Sequence, residues 1–487
     1  MSKKTGLIIA LVIASLFFFA YATISLKLYN AHQTRGDLTA YAQSLWNTLH
    51  GNFMQTTFNY SVHNYWDKVF REITTQNSNL FGIHFSPIML FLLPIYAIFP
   101  QPPTLLVIQA LFTALGGLLI YVLACQVLQK RWLAIILEFS YLLYFPTVSA
   151  TLSQFHAYTL VLFFGPLLII YSRQKNMLGY YLSLLAFLFI QENTSIVACF
   201  FGFSLMISPL TRRTGIITVL FSMLYFVIVL QYVIPALSPY HGYLFGSIYG
   251  NKLGGNIFQI IRGSFLHPVL LFQSIFTPAN MTYLGNLFIG IGPFALFSPL
   301  MLLVGVSSLM QNILSSSLGL KSQIMHYESG SAPFLFYALI LGIGIFIAKS
   351  SFGKTKKGLF ALCLLLIMTA GFSYKKFTSL RFNLTLLTTP LYTERDLEMD
   401  SLLSQIPPSG SVSTQDYLSA HLSNRAHLYN FPVYYDRVDY LLLSKGDASW
   451  PLTPTEQTQI LSEINQNPSY RSFAQTPNFI LYSRQSF

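Results

Sequence analysis

The chain has 487 residues, of which 53% are hydrophobic and only 9% are charged. Soluble globular proteins carry roughly 25% charged residues, so this composition excludes a soluble globular protein and predicts a chain solvated mainly by lipid. The net charge of +12 does not indicate nucleic-acid binding, because Lys and Arg cluster in short runs beside apolar segments. The three cysteines, Cys125, Cys199 and Cys363, lie in apolar segments and indicate neither a disulfide framework nor a zinc site.

Acidic residues are distributed unevenly along the chain. Only six of the sixteen precede residue 388, and they are Asp37, Asp67, Glu72, Glu138, Glu192 and Glu328. Because an acid in a long apolar stretch is energetically costly, each of the six requires a specific reason to be there. The change in composition predicts two domains: a transmembrane domain over residues 1–387 and a small soluble domain over residues 388–487.

The N-terminal segment predicts the first membrane helix. The letters MSKK precede an apolar run that continues to about Leu26 and is long enough to cross a bilayer. A cleaved secretory signal is the alternative interpretation. The many apolar segments that follow favour a retained helix at 6–28.

Short basic runs set the predicted topology. They lie at 3–4, 130–131, 173–175, 212–213 and 349–357, and loops rich in Lys and Arg stay in the cytoplasm. The apolar segments that fit these runs predict about eleven transmembrane helices: 6–28, 104–127, 132–150, 158–172, 178–191, 195–210, 215–234, 283–297, 299–316, 332–349 and 358–374. The protein is then a multi-pass protein of the plasma (inner) membrane, with a cytoplasmic N-terminus and an extracytoplasmic C-terminus.

One apolar segment, 84–99, does not fit this scheme as a crossing. It is short, it contains Pro87 and Pro94, and counting it would move the 130–131 basic run outside. We expect it to lie at the outer membrane interface, and we expect the same of 256–276. The long connections 29–103, 235–282 and 317–331 are then all extracytoplasmic, which predicts a functional site on that face.

The soluble tail predicts a small α/β domain. The segment from 406 to 432 indicates a strand, a short helix and a second strand, and the letters VDYLLLS and NFILYSR indicate two further strands. Thr453 with Glu456 three residues later predicts a capped helix start.

The predicted topology places nearly all polar titratable groups of the transmembrane part on the outer side. Only Glu138 falls toward the inner half; the outer ones are His32, His50, His63, His84, His156, His241, His267, His326, Asp37, Asp67, Glu72, Glu192 and Glu328. Long loops collect polar residues of any kind, and Asp67 and Glu72 fit solvated loop charges. Loop length does not explain Glu192 and His156, which end helices joined by very short loops. We therefore expect a shared outer site.

Asp37 and His84 begin the list of candidates for this site. Asp37 follows the first helix and is either a catalytic or ligand-binding carboxylate or a solvated turn residue that caps the next helix. His84, in HFSP, is either a substrate ligand or a polar anchor of the interfacial helix. His156 is either functional or a hydrogen-bonded interfacial histidine, and Glu192 ends an apolar helix without an adjacent base.

The segment His326-Tyr327-Glu328 precedes a run of small residues, SGSAP, and then a helix. A flexible loop that opens onto a helix N-terminus suits an anion such as phosphate, and a plain loop is the alternative. Arg262 and Lys252 are among the few outer cations and can pair with a lipid phosphate or extend to headgroups without a specific partner.

Several of these segments together resemble an uncharacterised prokaryotic membrane protein family that carries a domain-of-unknown-function label. The similar residues are Gly36-Asp37-Leu38, QSLWNT at 43–48 with Gly51, HFSP at 84–87, QFH at 154–156, QEN at 191–193, HYESGSAPFLF at 326–336 and HLSNR at 421–425 with VDYLLL at 438–443. The resemblance runs over nearly the whole chain in the same order.

That family more distantly resembles the GT-C superfamily of integral-membrane glycosyltransferases. The resemblance implies a GT-C-like fold, a polyprenyl-phosphate-linked sugar donor and an outer-face reaction. Asp37 matches the acid of the first outer loop, and 84–99 matches a juxtamembrane helix. Asp37 is single where many members carry an acidic pair, and His156 stands where another acid often occurs.

The resemblance therefore predicts transfer of a sugar from a polyprenyl-phosphate donor to an extracytoplasmic glycan, lipid or protein acceptor. Asp37 would be the general base, and His84, His156, Glu192, Arg262, His326, Tyr327 and Glu328 would bind substrate. A divalent metal, Mg²⁺ or Mn²⁺, is a possible cofactor that the sequence does not assign to ligands. The alternatives are a transporter or flippase of lipid-linked sugars or small molecules and a non-catalytic membrane scaffold.

Overall fold

The computed structural model of this chain is mainly helical, with one five-stranded sheet near the C-terminus. It describes residues 1–58, 78–174, 176–239, 241–243, 253–255, 257–315, 319–377, 383–446 and 452–485. The strands and helices below are those of the described residues.

Within the described residues, six helical segments are long and apolar enough to cross a membrane. They comprise α1 (Lys3–Asn30), α4 (Pro102–Leu128), Ala157–Gln174 with its principal helix α7 (Val161–Gln174), Arg212–Leu237 with α10 (Arg212–Ile228) and α11 (Ile234–Leu237), α17 (Ala332–Lys349) and α19 (Lys356–Phe377). A seventh crossing forms if α5 (Arg131–Leu143) and α6 (Phe145–Ser153), which meet at 47°, count as one bent span. All six long segments overlap spans predicted from the sequence.

The side chains of these helices divide between a protein-facing and a lipid-facing side. On α1, Ala10 and Tyr21 are fully buried, whereas Leu16 and Phe19 are 64% and 65% exposed. An exposed apolar side chain of that size on a span is stabilised by lipid rather than water. An ordinary surface helix of a soluble protein carries polar residues on its exposed face. On α1 that face carries Leu and Phe instead.

Four predicted spans differ from the observed helices. The predicted spans 178–191 and 195–210 are α8 (Met177–Leu188) and α9 (Thr194–Met206), each shorter than the roughly 20 residues a crossing needs. The predicted pair 283–297 and 299–316 is broken into α14 (Pro278–Ile289), α15 (Pro299–Ser307) and α16 (Met310–Leu314).

The break after α14 has a local cause. Gly292 has a positive φ of 75°, and Pro293 follows it, so an α-helix cannot continue through this point. Gly290 approaches Tyr144 so closely that a Cβ there would lie 2.8 Å from its ring. The chain bends where α14 packs against its neighbours.

Shorter helices belong to the long connections. They are α2 (Gly36–Leu49), α3 (Ile88–Ile98), α12 (Ile257–Leu266), α13 (Pro268–Ile275) and α18 (Ser351–Lys354), with a small antiparallel pair of β1 (Gln55–Thr56) and β2 (Ser78–Asn79). At 11 residues, α3 is too short to span a bilayer, in agreement with the expectation for 84–99.

The tail forms a mixed sheet in the order β4-β3-β5-β7-β6. Its strands are β3 (Val412–Thr414), β4 (Leu428–Asn430), β5 (Tyr440–Ser444), β6 (Tyr470–Gln475) and β7 (Phe479–Arg484). The β3 strand pairs in parallel with β4 and β5, and β7 pairs antiparallel with β5 and β6. Two helices, α20 (Glu394–Leu403) and α21 (Pro454–Gln466), complete the tail.

The element predictions for the tail are largely confirmed. Thr453 and Glu456 form the predicted capping box at the start of α21, and four of the five strands lie where the sequence indicated. Strand β6 and helix α20 were not predicted. The alternating pattern that signals a half-buried strand is absent from YRSFAQ, whose inner residues are mostly exposed.

Candidate functional site

The polar groups singled out from the sequence meet at the first turn of α2. Asp37 lies there, and His156 and His326 are brought to it by two other segments of the chain. The ligand-capable atoms of these three residues all lie within 4.8 Å of one another. Both histidines are buried and Asp37 is partly buried, so the cluster lies mostly below the protein surface, and we call it the recess.

The backbone of α2 fixes the position of Asp37. The helix begins at Gly36, and Asp37 is an acid in its first turn, where the helix dipole favours negative charge. Arg35, not Asp37, occupies the N-cap. The Gln154 side-chain amide donates a hydrogen bond to Asp37 Oδ2.

The environment of Asp37 makes its carboxyl group easier to protonate than that of an exposed aspartate. Burial, followed by the charge of Asp416, raises the pKa of Asp37 to about 6, and the opposing effects of His84 and Arg35 are smaller. A carboxyl group with this pKa is mostly ionised at pH 7 and is more basic than an exposed aspartate. This is the property required of a general base.

Gln109 holds the turn that carries His156. Its side-chain Nε2 donates to the carbonyls of Ala150, Thr151 and Gln154, and its Oε1 accepts from the His156 backbone N–H at 3.0 Å. A polar residue inside the apolar helix α4 is a signal for such a role, although it was not among the predicted site residues. The turn is therefore tied to α4.

His156 and His326 stack face to face, with ring centroids 3.6 Å apart and planes at 12°. Burial lowers the pKa of both rings, to about 3 for His326 and well below its ordinary value for His156. Both rings are therefore neutral at pH 7. Among the described residues, Nδ1 of His326 is buried without a hydrogen-bond partner, which leaves it available to a ligand.

His84 and Glu192 form the second part of the site. His84 Nδ1 lies 2.8 Å from Glu192 Oε1, and the Phe85 backbone N–H donates to Glu192 Oε2 at 3.0 Å. Tyr243 also donates to this carboxylate at 3.2 Å. Glu192 thus orients the His84 ring, whose centroid is 5.7 Å from that of His156.

Glu328 lies in a separate buried network. Its Oε1 accepts from the Tyr283 hydroxyl at 3.0 Å, and that hydroxyl in turn accepts from Asn312 Nδ2 at 2.9 Å. Burial raises the pKa of Glu328 to about 8, so the carboxyl group is mainly protonated at pH 7. Neutral Glu328 can donate a hydrogen bond, which an ionised carboxylate cannot.

The remaining candidates are less closely connected. Tyr327 contacts the His326 ring at a centroid distance of 4.5 Å. Arg262 is exposed on α12, and no recorded contact within the described segments joins it to the cluster, so its role stays a prediction. Asp67, Glu72 and Lys252 lie outside the described residues.

The three-residue cluster matches some metals better than others. One carboxylate oxygen and two imidazoles suit Mn²⁺ or Zn²⁺, whereas Mg²⁺ prefers oxygen ligands. However, Nδ1 of His156 accepts a hydrogen bond from the Tyr158 backbone N–H at 3.1 Å. The neutral ring therefore carries its proton on Nε2, and His156 can bind a metal only if one of these arrangements changes. Asp37 and His326 fit a metal, and His156 as placed fits a hydrogen-bond donor.

Besides Gln109, two further residues of the site environment were not anticipated from the sequence. Gln154 was quoted only as a neighbour of His156, although it contacts Asp37 directly. Asp416 reaches the start of α2 from the tail. No pattern along the chain signals a contact between residues 380 positions apart.

The fold and the recess define a multi-helix membrane protein with a small sheet-containing domain near its C-terminus. The chain belongs to the family described as predicted membrane proteins (DUF2079), whose sequence profile matches residues 27–481. A search of curated proteins finds no match.

A solved structure shares this fold. It is ArnT, a GT-C glycosyltransferase, from Cupriavidus metallidurans bound to undecaprenyl phosphate. The similarity has a TM-score of 0.53 and covers 99% of this chain and 98% of that one, at 11% sequence identity. The fold expectation from the sequence is therefore confirmed.

Proposed function

We propose that this protein is a membrane glycosyltransferase that uses a polyprenyl-phosphate-linked sugar and transfers the sugar to an extracytoplasmic acceptor. The observation that carries the proposal is the position of Asp37, a partly buried carboxylate beside three histidines in the recess at α2. The fold shared with a protein bound to undecaprenyl phosphate supports the lipid class of the donor.

Asp37 is the general base of the proposed reaction. The acceptor hydroxyl attacks the anomeric carbon, the bond from that carbon to the donor phosphate breaks, and Asp37 takes the hydroxyl proton. A positioned base contributes about 10² to 10⁴ in rate. The raised pKa of Asp37 strengthens its basicity while leaving the carboxylate mostly ionised at pH 7.

The leaving phosphate requires hydrogen-bond donors, because negative charge develops on it as the bond breaks. Nδ1 of His326 has no partner among the described residues and can hydrogen-bond to the phosphate. His156 can donate to the phosphate from its Nε2–H. His84, oriented by Glu192, lies beside them. Arg262 remains a proposed headgroup contact.

The proposal implies an orientation. The recess opens on the extracytoplasmic face, with the N-terminus in the cytoplasm and the tail outside. The basic runs that border α5 and α10 support this orientation, because they belong on the cytoplasmic side.

The direct test uses the full chain purified into lipid nanodiscs. A panel of radiolabelled sugars linked to undecaprenyl phosphate is supplied with cell-envelope acceptor extracts, and both labelled product and released undecaprenyl phosphate are measured. We expect product and released lipid in equal amounts from at least one donor. Movement of the intact donor across liposome membranes without hydrolysis or transfer would instead support a flippase.

A further inference from the structure

The helix that carries Asp37 lacks a cap of its own. Arg35 occupies the N-cap of α2, and its side chain makes no capping hydrogen bond. The first helical N–H groups have no partners within a helix. The Gly36 N–H instead donates to Asp416 Oδ1 at 2.6 Å, so a residue of the tail caps this helix from 380 positions further along the chain.

Further contacts continue along the same face of α2. Thr39 Oγ1 lies 2.6 Å from Ser419 Oγ, and the Gln43 amide donates to the carbonyls of Arg425 and Ala426 at 3.1 and 3.3 Å. Positions spaced three or four residues apart share one face of a helix. The tail therefore follows α2 for two turns from its first residue.

Glycine is required at position 36 for this approach. A Cβ there would lie 2.4 Å from Asp416 Oδ1 and 2.5 Å from the Phe58 ring. Either contact is too short for a side chain. The first turn of α2 is thus built to accept the tail carboxylate next to the backbone of Asp37.

We propose that the tail is a component of the reaction site and that Asp416 is a positioning residue for Asp37. By capping α2, Asp416 holds the turn from which the Asp37 carboxylate reaches Gln154 and the stacked histidines. It also brings a second carboxylate to the first turn of α2, close to Asp37. This inference rests on the proposed function for its catalytic consequence.

The test compares three variants of the full chain in nanodiscs. Asp416→Ala removes the acceptor, Asp416→Asn keeps a side-chain oxygen that can cap a helix, and Asp439→Ala is the matched control. Asp439 likewise accepts a hydrogen bond from a backbone N–H, that of Ser411, at 2.8 Å. Ser411 belongs to the tail, so this contact does not involve α2.

Hydrogen exchange of the peptide covering the first turn of α2 is the first measurement. We expect Asp416→Ala to accelerate exchange there about tenfold, as loss of a typical N-cap does. Asp416→Asn should restore most of the protection, and Asp439→Ala should leave this peptide unchanged. Equal exchange in Asp416→Ala and the parent would overturn the proposal.

Steady-state transfer is the second measurement. We expect Asp416→Ala to lower kcat about tenfold with KM within about twofold, and Asp416→Asn to recover at least half of the parent kcat. If Asp416→Ala accelerates exchange in α2 but leaves kcat unchanged, Asp416 does not position Asp37. If the parent transfers no sugar, the proposed function fails, and the exchange difference between Asp416→Ala and Asp439→Ala decides whether the tail holds this turn.

Discussion

The stacked rings of His156 and His326 explain why so polar a recess can be stable within an apolar helix bundle. Two imidazolium ions 3.6 Å apart would repel strongly, and burial makes either charge costly. Both rings are neutral at pH 7. They supply directional hydrogen-bonding groups without adding positive charge.

Asp37→Asn tests the assigned base. The amide keeps the shape of the carboxyl group and cannot take the acceptor proton, so we expect kcat to fall by about 10² to 10⁴. The melting temperature should change little, because an amide can retain a hydrogen bond with Gln154. Labelled-sugar transfer and thermal unfolding are measured on the same preparation.

His326→Ala separates donor binding from proton transfer. Removing the ring takes away a group proposed to contact the donor phosphate, so we expect a higher KM for the lipid donor and a smaller loss in kcat than for Asp37→Asn. The exposed His427, in the tail, provides the control His427→Ala. A parent-like donor KM in His326→Ala would remove His326 from the donor site.

Glu192→Ala tests the support given to His84. The substitution leaves the Phe85 N–H and the His84 ring without their buried acceptor, and such losses cost about 1–3 kcal/mol. We expect a lower free energy of unfolding by that amount, measured in detergent. Glu463→Ala, on the exposed face of α21, should change it by less than about 0.5 kcal/mol.

At the scale of elements, the long helices were predictable because their apolar stretches are continuous. The prediction 332–349 coincides with α17, and 104–127 lies within α4. The predicted spans 283–297 and 299–316 are instead three shorter helices, because apolar composition alone does not reveal the turn at Gly292 or the close packing at Gly290. Helix α2 was not placed, since it is buried by protein contacts and mixes polar with apolar residues.

The membership of the site was predictable where the membrane topology alone places a residue on the outer face. His84, His156, Glu192 and His326 were assigned to the outer face from helix count and basic runs, and the structure brings them together around Asp37. The pairing of His84 with Glu192 depends on how three loops pack, and the cap from Asp416 joins two ends of the chain. Neither follows from local sequence.

The contact between α1 and the tail should weaken in acid. The His421 ring stacks on Tyr29 at 4.0 Å and lies 4.2 Å from the His32 ring. Burial, then the charge of His32, lowers the pKa of His421 to about 3, although Asp400 acts in the opposite direction. The stabilisation from neutral His421 is thus complete above its unfolded pKa of about 6.5 and is lost as pH falls from there toward 3.

Lowering pH from 7 to 5 should therefore destabilise this contact by up to about 2 kcal/mol. His421→Phe keeps an aromatic stack and cannot titrate, so it should remove most of the dependence. Hydrogen exchange of residues 416–426 across this pH range measures the effect after correction for intrinsic exchange. The control His427→Phe, at an exposed position, should retain the parent dependence, and equal profiles for all three proteins would contradict the assignment to His421.

At the scale of the whole molecule, orientation is the decisive prediction. Reporters fused after Arg213 and after Phe377 should lie in the cytoplasm and outside, respectively, because the basic runs determine which loops stay inside. Alkaline phosphatase detects the outer position, and a fluorescent protein that matures only in the cytoplasm detects the inner one. If both reporters lie on the same side of the membrane, the predicted topology is wrong. The prediction of a common site on the outer face then fails as well.

Phe58 has a consequence for biosynthesis. This side chain comes from the connection between α2 and α3, yet it is buried in the core of the tail with Leu402, Leu418 and Leu428. The tail core therefore includes a residue made long before the tail itself, and the first turn of α2 stays without its Asp416 cap until the tail has been made. We expect a chain stopped at residue 387 to insert its helices and remain inactive, which makes translation and folding of the tail a checkpoint that activity must pass.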